Sequence, residues 1–171
     1  MTVLGVMSDT HGNRPLMLRV ADRMIRKHFV EVVLHLGDNY QDGLELAAAG
    51  YPVRVVPGLW CDEYADGRTP KVLVEIFDGL TVAWAHTHEA ILRGPARNAA
   101  LQCSGHTHEP RLVLHGGILS INPGHLKGRT DRGQRASYAV LDIGPEMVWA
   151  SIHETNGDLR EEVTVDRAEL G

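Results

Sequence analysis

The chain has 171 residues, 43% of them hydrophobic and 23% charged, with a formal net charge of −5. That apolar content suffices for a buried core in a single domain over residues 1–171, and no unbroken apolar run is long enough to cross a membrane. The acidic balance argues against general nucleic-acid binding through a basic surface.

Val3-Leu4-Gly5-Val6-Met7 is a short apolar run that predicts a buried strand, followed by Ser8-Asp9-Thr10-His11-Gly12-Asn13. Asn13 is placed to cap a helix with Pro15 in its first turn, and Leu16, Val20 and Met24 give that helix one apolar face. A second strand, Val32 to Leu36, leads into Gly37-Asp38-Asn39. A short helix over Leu44 to Ala49 stops at Gly50, and a third strand, Val53 to Val56, runs into Pro57-Gly58. This β-α-β-α-β order predicts a parallel sheet covered by helices.

Beyond it, Val72 to Phe77 and Leu80 to Ala85 flank Asp78-Gly79, the strongest hairpin signal in the chain. Further strands are expected at 111–114, 118–121, 138–143, 148–152 and 163–165, with a helix over 96–101 between them. Residues 127–135 read as a polar loop whose Arg129, Arg132 and Arg135 face water. Cys61 and Cys103 make no disulfide framework and point to a reducing compartment. Met1-Thr2-Val3-Leu4 lacks the features of a secretory signal, so the cytoplasm is the expected location.

The ten histidines are the unusual feature of the composition. Four of them form His86-Thr87-His88 and His106-Thr107-His108. Ligands gather beyond the carboxyl ends of strands in open α/β sheets. Asp9 and His11, two residues apart in extended chain, can reach one ion; His106 and His108 can lean together in the same way. Carboxylate and imidazole donors without a required thiolate suit Mn, Fe, Co, Ni or Zn better than Ca or Mg. Each motif alone is weak evidence. Asp-x-His, Gly-Asp-Asn and two His-x-His triplets, each following a predicted strand, are much stronger together.

In these residues the chain resembles the calcineurin-like metallophosphoesterases, in particular their small prokaryotic phosphodiesterase branch. The resemblance rests on Ser8-Asp9-Thr10-His11-Gly12-Asn13, Leu36-Gly37-Asp38, His86-Thr87-His88, Ser104-Gly105-His106-Thr107-His108 and Ile121-Asn122-Pro123-Gly124. It implies an α/β fold, a four-layer αββα sandwich of two mixed sheets with metals at the strand carboxyl-terminal rim. It implies Asp9, His11 and His108 on a first metal, His86 and His106 on a second, and Asp38 bridging both. The implied cofactors are two divalent transition-metal ions, manganese favoured, with a hydroxide held between them attacking a small phosphodiester that is nucleotide-derived in one reading. Asn39 and His88 are candidate substrate contacts. His35 reads as a packed core histidine, and Asn122 as a turn residue beneath the site.

The chain departs from the family at one motif. Where Gly-Asn-Cys-Asp or Gly-Asn-His-Asp/Glu is expected, it reads Gly58-Leu59-Trp60-Cys61-Asp62. Neither Leu59 nor Trp60 offers a metal-binding oxygen, so the second metal is expected to bind more weakly. Cys61 and Asp62 are the candidate catalytic residues of this loop, Cys61 as a weak proton donor; the alternative is that Trp60 and Cys61 only pack it. Rival functions are phosphomonoester hydrolysis on the same site, or a binding scaffold like the retromer subunit of this fold, which has altered ligands. Six of seven family ligand positions are intact here, which favours an enzyme acting on a small phosphoester. Neither a membrane nor broad nucleic acid is expected as a partner, and homo-oligomerisation stays open.

Overall fold

The computed structural model describes residues 1–171. The predicted β-α-β-α-β segment is present as β1 (Thr2–Met7), α1 (Arg14–His28), β2 (Val32–His35), α2 (Tyr40–Ala48) and β3 (Val53–Val55). Asn13 caps α1, its side chain accepting the Leu16 N–H, with Pro15 in the first turn. Helix α2 starts four residues before the expected Leu44, because Asn39 caps it by accepting the Gln41 N–H.

A short α3 (Asp62–Ala65) precedes the hairpin of β4 (Val72–Phe77) and β5 (Leu80–Ala85). Its turn has φ of 47° at Asp78 and 82° at Gly79, as a two-residue primed turn requires. Helix α4 (His88–Leu92) and a 3-10 turn, Pro95–Asn98, follow, and then β6 (Leu101–Ser104). The helix expected over 96–101 is therefore corrected. Thr87 starts a helix earlier by accepting the Ala90 N–H, and Leu101 leaves helical geometry to pair with Val82 and Leu119. The remaining strands are β7 (Arg111–His115), β8 (Ile118–Asn122), β9 (Thr130–Asp131), β10 (Gln134–Arg135), β11 (Ser137–Ile143), β12 (Met147–Glu154) and β13 (Leu159–Asp166).

Two mixed sheets result, one in the order β13-β12-β11-β1-β2-β3 and the other β4-β5-β6-β8-β7. Strands β1, β2 and β3 run parallel, as do β5, β6 and β8. Alternation along β1 divides its side chains between two cores: Leu4 and Val6 face the second sheet, while Val3 and Met7 face α1. Between the sheets lie Leu34, Trp84, Leu101 and Leu119. Outside the first sheet, Met17, Val20 and Met24 of α1 cover it. Outside the second, Ile91, Ala96 and Ala99 pack on Ala83 and Ala85. Three apolar interfaces make four layers, the αββα sandwich. No helix is long and apolar enough to cross a membrane.

Candidate metal centre

Strands β1 and β2 of one sheet, and β5 and β6 of the other, end at one rim of the sandwich. Asp9 and His11 follow β1, Asp38 follows β2, His86 follows β5, and His106 and His108 follow β6. The loops are tied in pairs: the Asp9 N–H donates to Gly37 O at 3.1 Å and the Gly105 N–H to His86 O at 2.9 Å. Two glycines permit contact between loops. A Cβ on Gly105 would lie 2.0 Å from Ser8 Oγ and 2.7 Å from Asp9 Oδ2, and one on Gly58 would lie 2.3 Å from Asp38 Cα. Any larger residue there would push a ligand loop outward.

Donor atoms converge in two groups, each with its atoms within 4.8 Å of one another: Asp9, His11 and His108, and Asp9, Asp38 and His86. Asp9 is common to both. Asp38 also reaches the first group, its Oδ2 lying 3.0 Å from His11 Nδ1. His106 joins neither group, but its ring centroid lies 5.1 Å from that of His86.

The protonation pattern suits a cation. The Nδ1–H of His86 donates to Leu36 O at 2.9 Å, which leaves the Nε2 lone pair for a ligand. His108 donates its Nδ1–H to Asp131 while its Nε2 faces Asp9 Oδ1 at 3.2 Å; the Asp9 and Asp131 carboxylates raise His108 above the ordinary histidine range, and a metal would take the place of the Nε2 proton. That Nε2 lies 3.3 Å from His11 Nε2, an approach of two ring nitrogens that needs a proton or a cation between them. Burial alone would raise the Asp9 carboxyl, but hydrogen bonds from His108, Ser8 and the His106 N–H, with the charge of His86, hold it below the ordinary carboxylate range. Burial lowers His86, which eases the loss of its proton to a metal. Ionised carboxylates and neutral imidazoles are the forms that bind metal. The donor set thus fits metal ions.

Backbone strain is concentrated on the same residues. Asp9, His11, Asp38, His106 and His108 all have positive φ, between 46° and 85°. This left-handed region costs an L-residue roughly 1–2 kcal/mol. Five such residues at one rim mark a constellation held by its surroundings, as functional sites often are.

Two supporting carboxylates were not legible in the motifs. Asp131 sits on the β9–β10 ribbon, inside the segment expected to be a loop, and orients His108. Hydrogen bonds from Lys127 and His108 pull its carboxyl down to about 2. Asp42, buried in the first turn of α2, accepts from the Thr10 hydroxyl and, at 2.8 Å, from the Gly12 N–H. Thr10 in turn accepts from His35 Nε2 at 3.3 Å, while His35 Nδ1 accepts the Gly37 N–H at 3.2 Å. His35 is fully buried, as expected, and burial lowers it to about 4. It also joins the Asp9 loop to the Asp38 loop, a role beyond packing. Replacing Asp131 by Asn should weaken metal binding about 10- to 100-fold, because His108 loses its charged orienting partner. Calorimetric titration with Mn²⁺ checks this; unchanged affinity would contradict ligation through His108.

The other sequence-based candidates stand further out. Cys61 Sγ donates to Asp38 O at 2.8 Å and accepts the Tyr40 N–H, tying its loop to that of Asp38. Asp62 is exposed at the start of α3. Trp60 does not pack the loop, since its side chain lies in solvent at 88% exposure. Asn39 uses its side chain on the α2 cap, and exposed His88 bonds to Gln102 Oε1 at 2.9 Å. Asn122 does brace the site, donating to Gly105 O and Thr107 Oγ1 and accepting the Gly124 N–H. Arg132, expected to face water alone, also donates to the His106 and Thr107 carbonyls at 3.3 Å.

Comparison with known proteins places the chain among phosphoesterases of this fold. The model of the calcineurin-like phosphoesterase superfamily domain matches residues 1–146. The probable metallophosphoesterase YsnB of Bacillus subtilis (strain 168) is 28% identical, over 94% of this chain and 98% of that protein. A conserved uncharacterized protein of Streptococcus pneumoniae TIGR4, a predicted phosphoesterase, superposes with a TM-score of 0.75 at 23% identity, covering 97% of this chain and 98% of its own. YfcE, a phosphoesterase from E. coli, gives 0.71 at 21% identity, covering 95% and 98%. The chain belongs to the calcineurin-like phosphoesterase superfamily.

Proposed function

From that membership we propose that the chain hydrolyses small phosphodiesters with about two divalent transition-metal ions, manganese foremost. Asp9, His11 and His108 would hold one ion and Asp38, His86 and His106 the other, with Asp9 within reach of both. The supporting observation is the convergence of Asp9, His11, Asp38, His86 and His108 in two groups that share Asp9, with His106 beside His86. Bound cations would supply Lewis-acid activation of the phosphoryl group and of the attacking water.

The chain's own residues prepare the site for that chemistry. Leu36 O and Asp131 fix the tautomers of His86 and His108. The His35–Thr10–Asp42 chain holds the first two loops in register. Leu59 and Trp60 add no oxygen donor, so the second ion is the weaker and activity rises with added metal. A phosphodiester is the favoured substrate class, and a phosphomonoester is the alternative on the same site. Turnover of bis-p-nitrophenyl phosphate and p-nitrophenyl phosphate, with Mn²⁺ and with chelator, tests this reading. Metal-dependent cleavage with the diester faster is expected. Cleavage of neither ester, or cleavage indifferent to chelator, would contradict it.

A further inference from the structure

The outer face of the second sheet is only partly covered. Helix α4 and the following 3-10 turn pack on β5 and β6. Strands β7 and β8 lie beyond them, and pairing of Arg111 with Asn122 and of Val113 with Ser120 puts these side chains on one shared face. A cavity of about 860 Å³ occupies this face beside α4. At one end it reaches His106, a candidate metal residue, and at the other His115. Its size is within the range of about 300–1,000 Å³ usual for small-molecule sites.

Three kinds of group meet in the cavity. Leu59, Tyr64 and Val113 give it apolar and aromatic wall. Arg93 and Arg111 line it, and neither guanidinium takes part in an ion pair of the chain. Glu89 and Glu109 line it too and are likewise without ion-pair partners. Apolar wall suits the faces of a heterocycle. Carboxylates accept from ring and exocyclic N–H groups, and guanidinium forks match phosphate oxygens. A simple anion would be repelled by the two glutamates, and a plain hydrocarbon would leave all four charges unsatisfied. A nucleotide satisfies each class of group.

Resting on the reading above, we propose that this groove binds the nucleoside of a nucleotide-derived phosphodiester. The scissile phosphate lies at the His106 end, and Arg93 with Arg111 holds a second phosphate of the same substrate. The two arginines are thus specificity residues for a substrate carrying more than one phosphate. Leu59, from the loop that lacks the family's oxygen donor, becomes part of the wall that meets the nucleoside.

Binding can be measured without turnover. Calorimetric titration of the Mn²⁺-loaded protein with thymidine 3′,5′-bisphosphate and with thymidine 5′-monophosphate should show the bisphosphate binding about tenfold tighter, the scale of one charge-assisted contact. An Arg93→Ala/Arg111→Ala variant should bind the two alike, and Arg93→Lys/Arg111→Lys should recover part of the difference. Equal affinities in the wild type, or a preference that persists in the alanine variant, would overturn the groove. These outcomes are independent of hydrolysis. A protein that cleaves no ester yet shows the arginine-dependent preference keeps the groove and loses the proposed activity, whereas cleavage without the preference does the reverse.

Discussion

Replacing Asp9 by asparagine is expected to empty both metal groups at once and to lower turnover of an aryl phosphodiester by at least about a thousandfold, near 4 kcal/mol. Asp9 is the donor common to both groups. Its Oδ2 accepts from the Ser8 hydroxyl at 2.6 Å and the His106 N–H at 2.9 Å, and its Oδ1 faces His108 Nε2 at 3.2 Å. An asparagine can turn its oxygen toward the first two donors and tolerates the φ of 54° better than most residues. Folding should therefore survive while the charge is lost. Thermal unfolding, metal content and kcat/KM measured on one preparation separate these effects. A folded Asp9→Asn protein that retains its metal and rate would contradict the role given to Asp9.

The same change at Asp38 should also abolish hydrolysis, by at least about a hundredfold, but with a different metal signature. Asp38 is half-buried, belongs to one donor group with Asp9 and His86, and reaches the other only through its 3.0 Å contact with His11. Asp38→Asn should therefore lose the second, weaker ion and retain much of the first. The φ of 85° at Asp38 again favours asparagine over alanine as the test residue. Retention of both ions with near-normal turnover would remove Asp38 from the mechanism. Equal loss at Asp9 and Asp38 would instead return Asp38 to the full bridging position implied by the family resemblance.

Much of the frame was legible from the residues because hydrophobic period and turn chemistry agreed there. Asn13 and Pro15 placed α1, and Asp78-Gly79 placed the β4–β5 hairpin. The helix expected over 96–101 failed for a tertiary reason. Ala96, Ala99, Ala100 and Leu101 favour helix locally, yet Leu101 to Ser104 fills the slot between β5 and β8 and buries all four residues. Asp-x-His, Gly-Asp and the His-x-His triplets were legible as candidate ligands because close spacing after a strand is a local property. Asp131 was not, since its link to His108 depends on a ribbon formed 23 residues later in the chain. Asp42 looked like an ordinary acidic residue in a first helical turn, and only its contacts with Thr10 and Gly12 show otherwise. Left-handed backbone at the ligands was not legible either: Asp and His adopt it more often than most residues, but no local pattern marks which of them do.

Hydrolysis is proposed to depend on metal held by the two Asp/His groups. The decisive measurement is the metal content of the chelator-stripped chain after reloading with Mn²⁺, followed together with bis-p-nitrophenyl phosphate turnover. Uptake should approach about two ions per chain, one tighter than the other, with activity rising in step with the second. Metal content near zero under saturating Mn²⁺, or turnover unrelated to the metal bound, would contradict it.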